Sequence, residues 1–254
     1  MRVLIGGLLH DRGEITDCYL RHLGVLDLNG IEVSWFFVVD GVGQWKARIP
    51  EGANGVLMKD NGPWWIREPR GQNDERQEYR RLAFMRNVLR ERALMERVNA
   101  LVNIDSDICA PGDLLQRMAA ARAPWVSALV DNCAVRNGLR GDADPELARM
   151  KGEAVPVGRH AFNIMDFDAG GRTARVSPDL LNGGEADITG AVCWYSADLL
   201  GRVSWRWHIN GEDVGFAVEA TAAGYRARYL PVICDHLMTQ ERLALHKEAC
   251  TLCH

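Results

Sequence analysis

The first forty residues alternate between apolar stretches and one amphipathic stretch, and this order constrains the fold more than any other feature. The apolar run from Arg2 to Ile5 predicts a strand, and Ile31 to Val39, rich in β-branched and aromatic residues, predicts a second. Between them, Ile15 to Leu28 carries apolar residues at helical spacing and ends at Asn29-Gly30. A strand, a helix and a strand in this order form a right-handed crossover between parallel strands. The sequence therefore predicts an α/β protein with a mostly parallel central sheet.

A second apolar run, Ala100 to Ile104, is followed directly by Asp105, Ser106 and Asp107. Ligands of open α/β sheets bind at the carboxyl ends of the strands. Two carboxylates one residue apart repel each other, and a divalent cation such as Mg²⁺ or Mn²⁺ offsets that repulsion. The alternative is that Ser106 or Asp107 caps the next turn and Asp105 is solvated. The pattern alone favours neither interpretation.

Two other positions lie where ligands of such a sheet approach. Asp40 ends the second predicted strand, where it would accept hydrogen bonds from a base or ribose, or else form a turn before Gly41. Gly190 interrupts a strand predicted from Ile188 to Tyr195, and its missing side chain permits close approach of a ligand or another backbone. No segment matches the dinucleotide-binding glycine fingerprint or the P-loop spacing.

The last third of the chain contributes an acidic and an imidazole side chain near predicted element ends. Asp213 precedes a helix predicted from Val214 to Gly224, so its simplest role is that of an N-cap. His236 stands just past a closing strand predicted from Tyr225 to Val232. A single histidine after a strand is ordinarily a surface or core residue. Neither position indicates a site by itself.

The composition is that of an ordinary globular domain. A length of 254 residues suits one α/β domain, and a formal net charge of -4 provides no basic field for nucleic acid. No segment has the apolar length of a membrane span. Seven cysteines without a framework pattern indicate a reducing cytosol, so a cytoplasmic protein is expected. The CTLCH segment from Cys250 to His254 has the spacing of half a zinc site or of a haem attachment, but without a second CxxC or an export signal it predicts a disordered tail.

Four segments, in this order, resemble the GT-A glycosyltransferases, particularly their family-2-like branch. RLAFMRNVLRERAL resembles the Arg-Asn helix of that family, and IDSDICAPGDLL resembles its DxD strand and following helix. DITGAVCWYS resembles the acceptor-side strand, and NGEDVGFAVEATAAGYRARYLPVICDH resembles the xED helix and the closing strand with its histidine. The resemblance implies a single GT-A (Rossmann-like) domain over residues 1–240, with helices on both faces of the sheet and an added small β-hairpin region. Residues 1–122 would form the nucleotide-sugar-binding half, 123–240 the acceptor-side half and 241–254 a C-terminal tail.

The same resemblance implies roles for individual residues. Asp107 and His236 would bind Mn²⁺ or Mg²⁺, and Asp105 would bind the metal or the ribose. Asp213, with Glu212 as the second choice, would be the base that deprotonates the acceptor hydroxyl. The nucleotide-sugar site would contain these residues: Asp40, Arg86, Asn87, Asp105, Ser106 and Gly190.

The function expected from these features is a metal-dependent hexosyltransferase that moves a sugar from a UDP- or GDP-sugar to a hydroxyl, with inversion. The acceptor is not indicated, because Arg136 to Glu185 has no recognisable pattern, and neither is the oligomeric state. A nucleotidyltransferase would also use metal-bound carboxylates, but no Gly-rich loop bearing Lys or Arg follows the first strand. A non-catalytic nucleotide-sugar-binding relative would keep the fold and lose the base, whereas both the DxD and xED motifs are present.

Overall fold

The computed structural model describes residues 1–10, 12–40, 52–58, 74–131, 162–175, 178–237 and 240–253. Its strands are β1 Arg2–His10, β2 Glu32–Asp40, β3 Asn54–Met58, β4 Ala100–Ile104, β5 Ile108–Cys109, β6 Trp125–Asp131, β7 Ile164–Phe167, β8 Thr173–Arg175, β9 Gly184–Ala186, β10 Ile188–Thr189, β11 Val192–Ser196 and β12 Ala227–His236. Its helices are α1 Glu14–Gly24, α2 Asp74–Met95, α3 Leu114–Ala120, α4 Ala197–Arg202, α5 Glu212–Ala222 and α6 Gln240–Ala249, followed by a 3₁₀ turn at Thr251–Cys253.

The predicted mostly parallel sheet is confirmed. Within the described residues it has nine strands, in the order β3-β2-β1-β4-β11-β6-β12-β5, with β9 also paired to β12. The pairs β1–β2, β1–β4, β2–β3 and β6–β12 are parallel, and β11 runs antiparallel to both of its neighbours. A separate small antiparallel sheet, β10-β7-β8, contains the predicted hairpin. The carboxyl ends of β1, β4 and β12 therefore lie along one edge of the main sheet.

Helices cover both faces of the sheet, as the buried side chains show. One face packs against α1 and α3 through Tyr19, Leu23 and Leu115. The other packs against α2, α4 and α5 through residues such as Leu89 and Phe216. All five residues of β4 are buried, as expected for a parallel strand covered on both sides. Asp105, the residue after this buried strand, therefore lies where the core ends at the edge of the sheet.

The first strand is longer than the predicted Arg2 to Ile5, because Gly6 and Gly7 continue it to His10. A Cβ atom on Gly6 would lie 2.2 Å from the carbonyl oxygen of Phe36, and one on Gly7 would lie 2.2 Å from that of Ile104. The neighbouring backbones thus approach so closely that glycine is required. The two glycines therefore continue β1 to the edge where the carboxyl ends of β4 and β12 also lie, and do not end the strand.

The described C-terminal residues, 240–253, are ordered, which corrects the prediction of a disordered tail. Helix α6 and the 3₁₀ turn pack on α1, where Lys247 forms an ion pair with Glu14 at 3.0 Å and Arg21 donates a hydrogen bond to the Leu252 carbonyl at 3.2 Å. Cys253 is buried with Leu243 in a small apolar cluster. Local sequence hides these contacts because their partners lie at the other end of the chain. No helix among the described residues is long and apolar enough to cross a bilayer.

Candidate active site at the carboxyl edge of the sheet

Asp107 and His236 meet at the edge of the sheet, as the sequence predicts. The pairing of β5 with the end of β12 sets His236 opposite Ile108, directly beside Asp107. Asp107 Oδ2 lies 3.2 Å from His236 Nε2, and both side chains are largely buried. Two ligands held at right angles on one divalent ion, with bonds of about 2.1 Å, lie about 3 Å apart. The carboxylate and the imidazole therefore fit a shared divalent cation.

Arg12 also reaches Asp107, and sequence reasoning missed it. Its Nη1 lies 2.7 Å from Asp107 Oδ2, and its side chain is 30% exposed. The residue follows β1 by two positions, so the strand-end argument applied to Asp105 also applied here. Arg12 places a solvent-accessible positive charge beside the candidate metal ligands.

Asp105 has a different partner from Asp107. Arg86 donates to both of its oxygens, at 2.6 and 3.0 Å, and Asn103 Nδ2 donates to Oδ1 at 3.1 Å. A carboxylate has about four acceptor positions, so these contacts leave room for one more donor. The structure therefore brings together Asp107 and His236 and orients Asp105 separately through Arg86.

Arg86 comes from α2 and is the centre of a buried charge cluster. Its guanidinium, 4% exposed, also lies 3.6 Å from Glu212 and donates to Asn103 Oδ1 at 2.6 Å. Burial alone would lower the pKa of Arg86, but Asp105, Asp213 and Glu212 together raise it well above its ordinary value. The guanidinium of Arg86 thus contacts carboxylates, and its contact with a nucleotide sugar stays a prediction. Its charge holds the acidic groups of the site in place.

Asp213 lies beneath Gly190, which explains why that strand is interrupted. A Cβ atom on Gly190 would stand 1.9 Å from Asp213 Oδ2, so the space that glycine leaves is taken by the carboxylate. Helix α5 begins at Glu212 and its N-cap is Gly211, which corrects the interpretation of Asp213 as an N-cap. The helix starts earlier than predicted because Gly211 takes a φ of 121° that favours glycine. Asp213 is therefore free of a capping role.

The environment raises the pKa of both adjacent carboxyl groups. Burial, followed by the charge of Glu212, raises the pKa of Asp213 well above its usual value, although Arg86 opposes the shift. Burial also raises the pKa of Glu212, again against Arg86. Asp105, Glu212 and Asp213 thus share a single buried guanidinium. A carboxylate with a raised pKa is suited to accept a proton near neutral pH.

Two of the remaining predicted site residues, Asn87 and Ser106, form hydrogen bonds within the protein, and the side chain of a third, Asp40, lies outside the described residues. Both sides of the Asn87 amide bind the backbone of Trp205, at 2.8 and 3.0 Å, so this residue fastens α2 to the segment before α5. Ser106 accepts a hydrogen bond from the backbone of His10 at 3.4 Å and holds the loop against β1. Asp40 ends β2, but its side chain lies outside the described residues.

We expect Gly190→Ala to reduce activity strongly without unfolding the protein. The added methyl group would occupy the position of the Asp213 carboxylate, which must then rotate away from the site. A steady-state assay should show a lower kcat, and circular dichroism should show a native spectrum. Gly201→Ala is the matched control, because nothing lies within 4 Å of the added atom. Equal activity in the two variants would show that the Asp213 carboxylate is not needed at this position.

Comparisons with known proteins give structural matches alone. No family model matches the chain, and no curated protein matches it. The mannosyltransferase PcManGT from Pyrobaculum calidifontis, solved in complex with GDP-Man and Mn²⁺, aligns with a TM-score of 0.51 at 16% identity, over 97% of this chain and 61% of that one. TarS from S. aureus aligns at 0.49 and 15% identity, over 92% and 60%, and A197 from STIV at 0.48 and 14%, over 94% and 87%. The chain thus spans about three fifths of the length of the two longer proteins.

The likeness to the mannosyltransferase shows the fold of this chain. It is an α/β domain of the GT-A type, with a mostly parallel sheet and helices on both faces, as the sequence predicted. At this level of identity the likeness establishes architecture alone. Activity has to be argued from the residues at the edge of the sheet.

Proposed function

We propose that this protein is a metal-dependent glycosyltransferase that moves a sugar from a nucleoside-diphosphate sugar to an acceptor hydroxyl. The observation that carries the proposal is the approach of Asp107 Oδ2 and His236 Nε2 to 3.2 Å at the edge of a GT-A-type sheet. The fold is shared with a mannosyltransferase that was solved with GDP-Man and Mn²⁺, which supports a nucleotide-sugar donor, and we propose a UDP- or GDP-sugar. In this proposal residues 1–122 bind the donor and 123–240 face the acceptor.

Asp107 and His236 would hold the metal, and the imidazole favours Mn²⁺ over Mg²⁺. The bound cation would neutralise charge on the leaving diphosphate. Arg12 lies beside this pair with part of its guanidinium exposed, so it is positioned to donate to a phosphate oxygen. Asp105, held rigidly by Arg86, would accept a hydrogen bond from the ribose with its remaining acceptor position.

Asp213 would act as the base. Its raised pKa allows it to take a proton from the acceptor hydroxyl. The positive charge of Arg86 opposes this rise in pKa and so favours the deprotonated form of Asp213. With the diphosphate on the Asp107 side and the base on the α5 side, displacement at the anomeric carbon would be in line. The product should therefore have inverted anomeric configuration. Glu212, which is paired with Arg86, remains the second choice for the base.

Asp107→Ala should abolish the Mn²⁺ dependence of nucleotide-sugar binding, because the variant loses the carboxylate that pairs with His236. Isothermal titration of UDP- and GDP-sugars, with and without Mn²⁺, measures this directly. Asp113→Ala is the matched control, since this exposed aspartate pairs with Arg117 on the surface of α3. Equal affinities with and without Mn²⁺ in the wild-type protein would refute the metal assignment.

A further inference from the structure

A second group of potential metal ligands lies between α1, β5 and the C-terminal helix, next to the loop that contains Asp107. Cys18 and His22 come from α1, Cys109 from β5, His246 from α6 and Cys253 from the final 3₁₀ turn. One ligand atom from each of the five lies within 4.8 Å of all the others, and all five side chains are buried. None of them has a place in the proposed transfer reaction.

The two histidines present their Nε2 atoms to each other. His22 Nδ1 lies 2.9 Å from the Ala110 carbonyl, which can only accept, so Nδ1 carries the proton. His246 Nδ1 lies 2.7 Å from Asp235 Oδ2, and this carboxylate likewise accepts. With both imidazoles neutral, the two Nε2 atoms, 3.3 Å apart, face each other as lone pairs. Either a shared proton or a metal ion between the two nitrogens satisfies this arrangement, and a histidine oriented by a carboxylate or a carbonyl is typical of metal sites.

Sulfur atoms surround the same point. The structure joins Cys18 and Cys253 as a disulfide, Cys109 Sγ lies 3.6 Å from Cys18 Sγ, and Cys250 Sγ lies 3.4 Å from His22 Nε2. A disulfide accounts for two of these sulfurs and for neither imidazole. A soft divalent cation accounts for the sulfurs and the imidazoles together.

We propose that the reduced chain binds one zinc ion through Cys18 Sγ, Cys253 Sγ, His22 Nε2 and His246 Nε2. Two thiolates balance the charge of Zn²⁺ and two neutral imidazoles complete four-coordinate binding, so the buried site has no net charge. Binding releases the two thiol protons and involves no oxidation. A further thiolate from Cys109 would leave a buried negative charge, so Cys109 remains a neighbouring thiol.

Four protein ligands leave no open position, so the site is structural rather than catalytic. It joins α1 to the C-terminal turn across a sequence separation of 235 residues. Asp235, which orients His246, also pairs in register with Cys109, two residues after Asp107. The zinc ion would therefore fix the loop that presents Asp107 and the strand end that presents His236. One of the four ligands, Cys253, lies in the CTLCH segment, His246 precedes that segment on α6, and the other two form the Cys18-x-x-x-His22 pair on α1.

The test is metal content together with thiol content, measured on the chain purified under nitrogen without added reductant or chelator. Mass spectrometry of metals should find one zinc ion per chain. Denaturation with a chelator should release seven reactive thiols, the full cysteine count. A disulfide would consume two of the seven and leave five. A chain without zinc would overturn the proposal, and five reactive thiols would then identify the disulfide.

Variants identify the ligands. Cys18→Ser and His246→Ala should each lower zinc affinity at least about 100-fold, since even residues that only orient ligands contribute about 10- to 100-fold. Cys193→Ser, a buried cysteine in β11, is the control and should keep its zinc. Cobalt substitution of the wild-type chain should give the intense visible absorption of tetrahedral thiolate coordination, a result that does not depend on any variant folding. Zinc retained after both ligand substitutions, or cobalt spectra without thiolate bands, would refute this ligand set.

Discussion

Asp213→Asn should lower kcat by roughly 10²- to 10⁴-fold with little change in donor affinity. The amide keeps the shape of the carboxyl group beneath Gly190 but cannot accept the acceptor's proton. Stability should barely change, because Gly211 rather than Asp213 is the N-cap and because burial already disfavours the charged form of this group. Steady-state kinetics and urea denaturation of the same preparation separate the two effects. Glu219→Gln, on the same helix, is the control.

The pH profile gives an independent check on the same residue. The base must be deprotonated to act, so kcat should fall as the pH drops through its pKa. Because burial and Glu212 raise that pKa, the fall should occur at higher pH than an ordinary aspartate would give. This fall in kcat at low pH should be absent from the pH profile of the residual activity of Asp213→Asn. Near-normal turnover in a folded Asp213→Asn protein, or a larger loss in Glu212→Gln, would move the role of base away from Asp213.

Arg86→Ala should destabilise the protein by about 3–5 kcal/mol, because it leaves Asp105 and Glu212 without their buried counter-charge. The free energy of unfolding, measured by urea denaturation, is the appropriate quantity. Arg117→Ala removes an exposed arginine paired with Asp113 and should cost less than about 1 kcal/mol. Arg86→Lys should fall between them, since lysine keeps the charge but cannot bind both oxygens of Asp105. Equal costs for the Arg86 and Arg117 variants would contradict the central position of Arg86.

The sequence predicted those parts of the site that follow from strand ends. Buried strands are recognisable from apolar runs, and their carboxyl ends share one edge of the sheet, so Asp107 and His236 could both be expected at that edge. Their pairing as metal ligands followed from the resemblance to the GT-A glycosyltransferases. The same rule does not say which way a side chain turns. The packing of α2 on the sheet buries the guanidinium of Arg86, which then requires counter-charges. The side chain of Asp105 therefore turns to Arg86.

Other features depended on contacts between distant parts of the chain. The glycines of β1 resemble a turn in the sequence, and only the close approach of Phe36 and Ile104 shows that they belong to the strand. The C-terminal cysteines resemble an incomplete motif, because the partner residues on α1 lie more than 200 positions earlier. Local patterns carry no information about such pairings.

The most direct test of the proposed function is the release of nucleoside diphosphate from a panel of UDP- and GDP-sugars, with and without Mn²⁺. We expect one donor to be hydrolysed slowly in the absence of acceptor, only with the metal present, and not by Asp107→Ala. Asp113→Ala should behave as the wild type. If no member of the panel is cleaved or bound in the presence of Mn²⁺, or if cleavage proceeds equally without metal, the chain is not a metal-dependent glycosyltransferase.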